Sequence, residues 1–275
     1  MFVVRGSLSV DSVQCDFISL LTEYFKAAYI HTRVSWIFAA PDRVGKYVVQ
    51  LTTNKGQRTV QMELRKPTDK IRKILRTIYS DVKTPLNHQT PFQLLVATIL
   101  SAQCTDKQVN RVTGVLFTHL KTPADFAGAT PKTIEKYIRS TGFYHNKAKN
   151  IKNCSQEILD THSGKVPQTL EELVELPGVG RKTANVVLGA AFNTPGMVVD
   201  THVARISQRL GLTQNKDAVK IEFDLMKIVP KRAWNDFSLQ LIFFGRETCS
   251  ARKPRCYSCP MAKLCPYPDK TPAPI

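Results

Sequence analysis

A lysine attacks carbon only as a free amine, and one lysine of this chain has neighbours in sequence that would push it toward that form. Lys182 closes the run Leu176-Pro177-Gly178-Val179-Gly180-Arg181-Lys182. An ordinary lysine has a pKa of about 10.4, so roughly one in a few thousand is neutral at pH 7, and each unit of depression costs ~1.4 kcal/mol. The dipole of a helix whose first turn would hold Lys182, the charge of the adjacent Arg181 and any burial in a cleft would all push the amine's pKa down. Lys182 is thus a candidate nucleophile, and this stretch alone weighs that reading equally against a solvated surface lysine. Eighteen residues on stands Asp200, well placed to cap a helix and so to be held ionised by N–H donors. An ionised carboxylate close to Lys182 would oppose the downward push, and the sequence fixes no distance between the two. A second chemistry lies near the C-terminus. Cys249, Cys256, Cys259 and Cys265 are spaced C-x6-C-x2-C-x5-C, a metal-thiolate pattern. Structural zinc usually pairs two short knuckles. Only Cys256-Tyr257-Ser258-Cys259 is one, and the looser arms lean toward an iron–sulfur cluster while leaving zinc open.

The elements needed to present Lys182 can be read around it. Thr169 and Glu172 have capping-box spacing, and Leu170, Leu173, Val174 and Leu176 give an apolar face. After the glycines, residues 183–192 read as a buried helix stopped by Asn193 and Pro195. The unit is helix, Gly-rich hairpin, helix. Gly178 and Gly180 permit positive φ and close approach of a ligand, and the second helix aims free N–H groups at the hairpin, which suits a phosphate.

The remaining chain is patterned for helices. Ile71, Ile74, Leu75, Ile78 and Tyr79 form one stripe, broken at Thr84-Pro85. Thr90 caps the next helix with Pro91 at its first position, and Phe92, Leu95, Val96, Ile99 and Leu100 face inward. Gln103 and Cys104 end it, and Thr105-Asp106-Lys107 starts another carrying Val109, Val112 and Leu116. Thr130-Pro131 opens a helix with Ile134, Tyr137 and Ile138. Residues 140–148 read as a polar, aromatic and basic loop before a helix with Ile151, Cys154, Ile158 and Leu159. Later helices carry Val203, Ile206 and Leu210, then Ile221, Leu225, Ile228 and Val229, then Phe237, Leu241, Ile242 and Phe244. No convincing strand pair follows Leu64, so this part is expected to be all-α. Upstream, Phe17 to Tyr29 reads as an amphipathic helix. Tyr47–Thr53 and Arg58–Leu64, joined by Asn54-Lys55-Gly56-Gln57, read as a hairpin. Cys15, Cys104 and Cys154 lack metal spacing and read as inert thiols.

The 39 basic against 22 acidic residues give a net charge of +17, which points to a polyanionic partner, with nucleic acid first and an anionic membrane surface second. No run of eighteen apolar residues is present, so no membrane span is expected. The acids Asp11, Asp16 and Glu23 interrupt the N-terminal hydrophobics, so neither a signal nor a transit peptide is expected. Four of seven cysteines crowd into one short stretch, a metal pattern of a reducing compartment rather than a disulfide framework.

Taken together, the hairpin, Val199-Asp200-Thr201-His202, the run Leu100-Ser101-Ala102-Gln103 and the four-cysteine tail resemble the endonuclease III family of DNA glycosylase/AP lyases, of the helix-hairpin-helix-GPD superfamily and iron–sulfur type. The resemblance covers about Met62 to Pro268. It implies two helical domains flanking a DNA-binding cleft: residues 62–84 with 195–270 as a discontinuous iron–sulfur domain, and 85–194 as a helical barrel carrying the hairpin. It implies base-excision repair of damaged double-stranded DNA, removal of oxidised pyrimidines, and β-elimination at the abasic site through a Schiff base on Lys182, with Asp200 assisting. It implies a [4Fe-4S] cluster on Cys249, Cys256, Cys259 and Cys265, whose loop presents Arg252, Lys253, Arg255 and Lys263 to phosphates beside Gly178, Gly180 and Arg181. Gln103 would fill the gap left by an extruded base. Phe143, where the bacterial pattern usually has leucine, would wedge the opposite strand. Without the resemblance, Gln103 reads as a polar helix end and Phe143 as a core aromatic. A monomer in the bacterial cytoplasm, with the chromosome, is expected. Residues 1–61 fall outside the pattern. They are either an appended module or an upstream extension before a true start at Met62, and the family pattern beginning just after that methionine favours the second. Two rivals remain. A mismatch adenine glycosylase lacks a lysine at the hairpin position and carries a further C-terminal domain. A non-catalytic DNA-binding module would bind duplex without cutting it.

Overall fold

The computed structural model describes residues 35–38, 49–52 and 67–274. The chain divides into two compact units, Met1–Met62 and Glu63–Ile275. In the first, β1 (Ser35–Phe38) pairs antiparallel with β2 (Val49–Thr52), Ser35 opposite Thr52 and Phe38 opposite Val49. The strand expected over Tyr47–Thr53 therefore forms, and its partner lies upstream in sequence. The other expected arm, Arg58–Leu64, and the helix expected at Phe17–Tyr29 lie outside the described residues.

The described residues of the second unit are helical. They form α1 (residues 67–78), α2 (Pro91–Leu100), α3 (Asp106–His119), α4 (Pro123–Gly128), α5 (Pro131–Ile138), α6 (Tyr144–His162), α7 (Leu170–Glu175), α8 (Arg181–Phe192), α9 (Thr201–Arg209), α10 (Ala218–Ile228) and α11 (Trp234–Glu247). Caps explain most of the starts. Thr90, Thr105, Thr122, Thr130, Thr169, Asp200 and Asp217 each accept a backbone N–H of the first turn, which satisfies donors the helix cannot. The capping box expected at Thr169 forms only by half. Its hydroxyl accepts from the Glu172 amide but donates to Glu172 Oε2 at 2.6 Å, which turns that carboxylate away from the Thr169 backbone. The reciprocal box is instead at Thr122, where Asp125 accepts from the Thr122 amide at 2.8 Å.

Buried apolar side chains gather into two cores. One joins Leu95, Leu100, Leu116, Phe126, Ile134, Ile151, Leu173 and Val187, from α2 to α8. Phe92 and Phe126 meet there edge to face, centroids 5.5 Å apart. The other joins Ile71 and Leu75 of α1 to Val203, Ile206, Leu225, Phe237, Leu241, Phe244 and Met261. Each fully buried Leu, Ile or Phe contributes about 1.5–3 kcal/mol over an exposed one. Among the described residues, two ion pairs tie elements of the first core to elements of the second. Arg181 at the start of α8 pairs with Glu222 on α10 at 2.8 Å, and Arg246 on α11 pairs with Asp106 at the start of α3 at 2.8 Å.

Candidate functional site

The hairpin is built by a turn and a missing cap. The Val179 amide donates to the Leu176 carbonyl at 3.0 Å, closing a four-residue turn with Pro177 and Gly178 at its centre. Gly178 has φ +80°, which suits the third position of a type II turn. A Cβ there would also lie 2.8 Å from Asn150 Cβ on α6, so the residue needs both its dihedral freedom and its small size. Gly180 is the N-cap of α8 at φ −89° and offers no side-chain acceptor. The first N–H groups of α8 are therefore left uncapped beside an exposed Lys182, the second residue of that helix. Among the described residues no hydrogen bond or ion pair engages the Lys182 amine. The helix ends as its sequence implies, with Asn193 at φ 52° donating to the Leu188 carbonyl.

Arg181, expected to meet a phosphate, pairs here with a carboxylate. Its Nε donates to both carboxylate oxygens of Glu222, at 3.1 and 2.9 Å, and Nη2 donates to Oε1 at 2.8 Å. Asn185 Nδ2 adds a weaker contact to the same oxygen at 3.3 Å. The guanidinium lies 5.2 Å from the Phe223 ring centroid. Hydrogen bonding to Glu222 raises the Arg181 pKa above its already high ordinary value. The positive charge beside Lys182 is thus neutralised at close range, and the arginine fixes the hairpin to α10.

Asp200 caps α9 as expected. Its Oδ1 accepts from the His202 and Val203 amides, both at 2.8 Å. The imidazole of His202 turns to a local partner, with Nδ1 3.3 Å from Arg205 Nη2.

Gln103 and Phe143 share an unusual backbone. Both are exposed and both lie in the left-handed region, at φ 53° and 49°. A non-glycine residue held there costs of order 1–3 kcal/mol and persists only where its surroundings over-determine it. Phe143 keeps 64% of its surface, which removes the core-aromatic reading. The loop expected over residues 140–148 is shorter than its composition implied. Phe143 makes the turn, its carbonyl accepts from the Lys147 amide, and α6 is already formed from Tyr144. In sequence Lys147 is one more basic residue of that stretch. It is buried, and its ammonium donates to the carbonyls of Leu100, Ala102 and Thr141 at 2.8–2.9 Å. Burial pushes the Lys147 amine below the ordinary lysine range, opposed only in part by the nearby Cys104 thiol. No periodicity marks such a residue, because lysine is almost always exposed.

The four tail cysteines line one cavity, together with Ile206, Phe244 and Pro254. Burial pushes the Cys259 thiol up. An N–H from Met261 opposes this, and the nearby Cys249, Cys265 and Cys256 add to it. Among the described residues no three His, Cys, Asp or Glu side chains converge as ligands of a single ion. Ligands of a cubane need not converge in that way, since each thiolate takes its own iron. Four sulfurs around one cavity, with Arg209, Arg255 and Lys270 also lining it, fit such a group. The tail is held to α9 by two arginines. Arg205 donates to the carbonyls of Cys249 and Gly245. Arg209 donates to Cys249 Sγ at 3.3 Å and to the Ser250 and Ala251 carbonyls, under the Tyr267 ring at 4.5 Å. Arg252, Lys253, Arg255 and Lys263 are exposed on this loop. Burial raises the Cys154 thiol to about 12, as befits an inert core residue, and Cys15 lies outside the described residues.

Comparison with known proteins gives this arrangement a context. A family model described as HhH-GPD superfamily base excision DNA repair protein matches residues 96–231. The chain is 53% identical over 194 residues to endonuclease III of Synechocystis sp., covering 70% of this chain and 89% of that one. Two solved structures superpose with TM-scores of 0.70 at 43% identity, each covering 75% of this chain. One is a non-covalent endonuclease III–DNA complex, matched over 95% of its chain. The other is a trapped endonuclease III–DNA covalent intermediate, an estranged-adenine complex, matched over 96%.

Proposed function

We propose that this chain, which belongs to the endonuclease III family, cuts damaged DNA through a covalent bond between Lys182 and deoxyribose. It is a DNA glycosylase and abasic-site lyase of base-excision repair, removing oxidised pyrimidines. The observation that carries the assignment of Lys182 is the start of α8: an uncapped helix N-terminus behind a Pro-Gly turn, with an exposed, unengaged lysine at its second position.

The target sugar carbon is out of reach inside a base stack, so the nucleotide must first leave it. The α8 amides, approached closely at Gly180, hold a phosphate of the damaged strand, and Arg252, Lys253 and Arg255 hold others. Gln103 enters the vacated stack and Phe143 wedges the facing strand. Lys182 Nζ then bonds to C1′, and the C1′–N bond to the base breaks with its electron pair leaving on the base. Loss of an amine proton and opening of the sugar ring give a Schiff base. That iminium makes a C2′ proton acidic; its removal expels the 3′ phosphate and nicks the strand. Asp200, the α9 cap, stabilises the positive charge that grows on the sugar. Arg181 contributes indirectly, by fixing the hairpin to Glu222.

Cys249, Cys256, Cys259 and Cys265 would hold a [4Fe-4S] cluster that cross-links the tail and keeps its basic residues in place. The discontinuous division into 62–84 with 195–270, and 85–194, accords with the two apolar cores. The enzyme works as a monomer on duplex DNA in the bacterial cytoplasm. Among the described residues, no helix is long and apolar enough to cross a membrane.

The test is one incubation of purified protein with three duplexes: thymine-glycol, undamaged and A-mismatch. Nicking of the thymine-glycol strand alone is expected. Salt-sensitive binding to all three without a nick would leave only a DNA-binding module, and release of adenine from the mismatch would favour the adenine-glycosylase rival.

A further inference from the structure

Phe143 and Gln103 stand forty residues apart in sequence, yet one buried side chain reaches the turns that carry both. Lys147 is 5% exposed. Its Nζ donates to Leu100 O at 2.9 Å and Ala102 O at 2.8 Å, in the turn that leads into Gln103. It also donates to Thr141 O at 2.9 Å, in the turn that leads into Phe143. An ammonium has three N–H donors, so all are used, and none goes to a carboxylate. A buried cation normally takes an acidic partner. This one takes backbone carbonyls from two separate loops instead, at the C-terminal end of α2 and the end of a short 3-10 turn, Arg139–Thr141, where carbonyls lack helical partners. A second link runs alongside, from Gln108 Nε2 to Ser140 Oγ at 2.5 Å. The loops so joined are the ones whose tips sit in left-handed backbone with exposed side chains.

We propose that Lys147 is a positioning residue: its three bonds fix the spacing of the Gln103 and Phe143 turns so that both side chains enter the duplex together as the damaged nucleotide leaves. The proposal rests on the function given above and adds a residue that touches neither DNA nor the reacting atoms. It acts at nucleotide extrusion and not at the chemistry on Lys182. Its removal therefore slows the reaction only where a paired base must be pulled from the stack.

The experiment compares one lesion in two settings under single-turnover conditions: thymine glycol paired in a duplex, and thymine glycol unpaired in a bulge. Lys147→Met keeps the aliphatic stem and removes all three donors. It is expected to slow nicking of the paired lesion by about 10- to 100-fold and of the bulged lesion by no more than about twofold, the scale at which small misplacements act. Borohydride trapping on a preformed abasic site is expected to be unchanged. Lys147→Arg, which keeps charge and donors in a different geometry, is expected to show a smaller loss with the same bias toward the paired lesion. If Lys147→Met does not fold, Lys147→Arg decides. Equal loss on both lesions, or no loss on either, overturns the proposal, as does failure of both variants to fold. A wild-type protein inactive on both lesions would overturn the functional reading itself, and this inference with it.

Discussion

Arg181→Ala separates the structural role of Arg181 from a role in holding DNA. The Glu222 side chain is 7% exposed and that of Arg181 34%. Removing one partner of a fully buried pair costs about 3–5 kcal/mol, because the other charge is left buried and alone. Here water still reaches part of the arginine, which screens the pair and lowers the expected cost to about 2–4 kcal/mol. Asn185 Nδ2, at 3.3 Å, is a weak donor and does not replace the three lost guanidinium bonds. For a chain of this size the melting temperature should fall by roughly 5–15 °C. Glu222→Gln should cost less, about 1–2 kcal/mol, since the orphan is then an arginine with access to solvent. Replacing both by methionine should recover most of the loss. Thermal and urea unfolding measure all three. The same Arg181→Ala protein, assayed where it is folded, should bind duplex with an unchanged salt dependence, whereas loss of a phosphate contact lowers the slope by about one. A melting temperature within a degree of wild type, together with a reduced salt slope, would instead place Arg181 on a phosphate.

The two hairpin glycines should fail differently. Gly178→Ala forces a Cβ to 2.8 Å from Asn150 at φ +80° and should destabilise the fold by about 1–3 kcal/mol. Gly180→Ala meets nothing within 4 Å at φ −89° and should melt like wild type while binding duplex more weakly. Equal melting temperatures for the two variants would contradict this. Burial raises the Asp224 carboxyl, but hydrogen bonds from Thr213, Asn215 and Lys227 outweigh it and hold it below the usual range. Its stabilising effect should therefore be full above about pH 4, the unfolded value, and be lost as pH falls through the lower folded value. Asp224→Asn should flatten that part of the stability–pH curve, and an unaltered curve would remove the group from the account. Cys259→Ser should lower iron content and expose the tail to proteolysis. A colourless, zinc-bearing protein purified without oxygen would defeat the cluster assignment.

What could be read from the sequence is what is local along the chain. The cap at Asp200, the Thr90-Pro91 start and the Asn193 stop follow from side-chain chemistry within a few residues. The hairpin was equally plain, because a Pro-Gly turn before a run of helix formers has few other solutions. The capping box at Thr122 was missed because its third residue is aspartate, shorter than the usual glutamate, though it reaches the Thr122 amide. Long-range choices were hidden. Arg181 and Glu222 are separated by forty-one positions, and nothing in either neighbourhood announces the other. Lys147 lay within a polar stretch where burial of a charge is the exception, and its partners are backbone carbonyls that every residue possesses. The strand at Val49–Thr52 was legible from its β-branched residues, while its partner Ser35–Phe38 was not, because the nearer Arg58–Leu64 segment alternates as well.

The most direct measurement is to identify the atom that joins protein to DNA. Borohydride is added during the reaction on a thymine-glycol duplex, the adduct is digested, and the modified peptide is sequenced by mass spectrometry. A reduced deoxyribose fragment is expected on Lys182, with no adduct from Lys182→Gln although that protein still binds duplex. An adduct on any other lysine, or one that persists in Lys182→Gln, would contradict it.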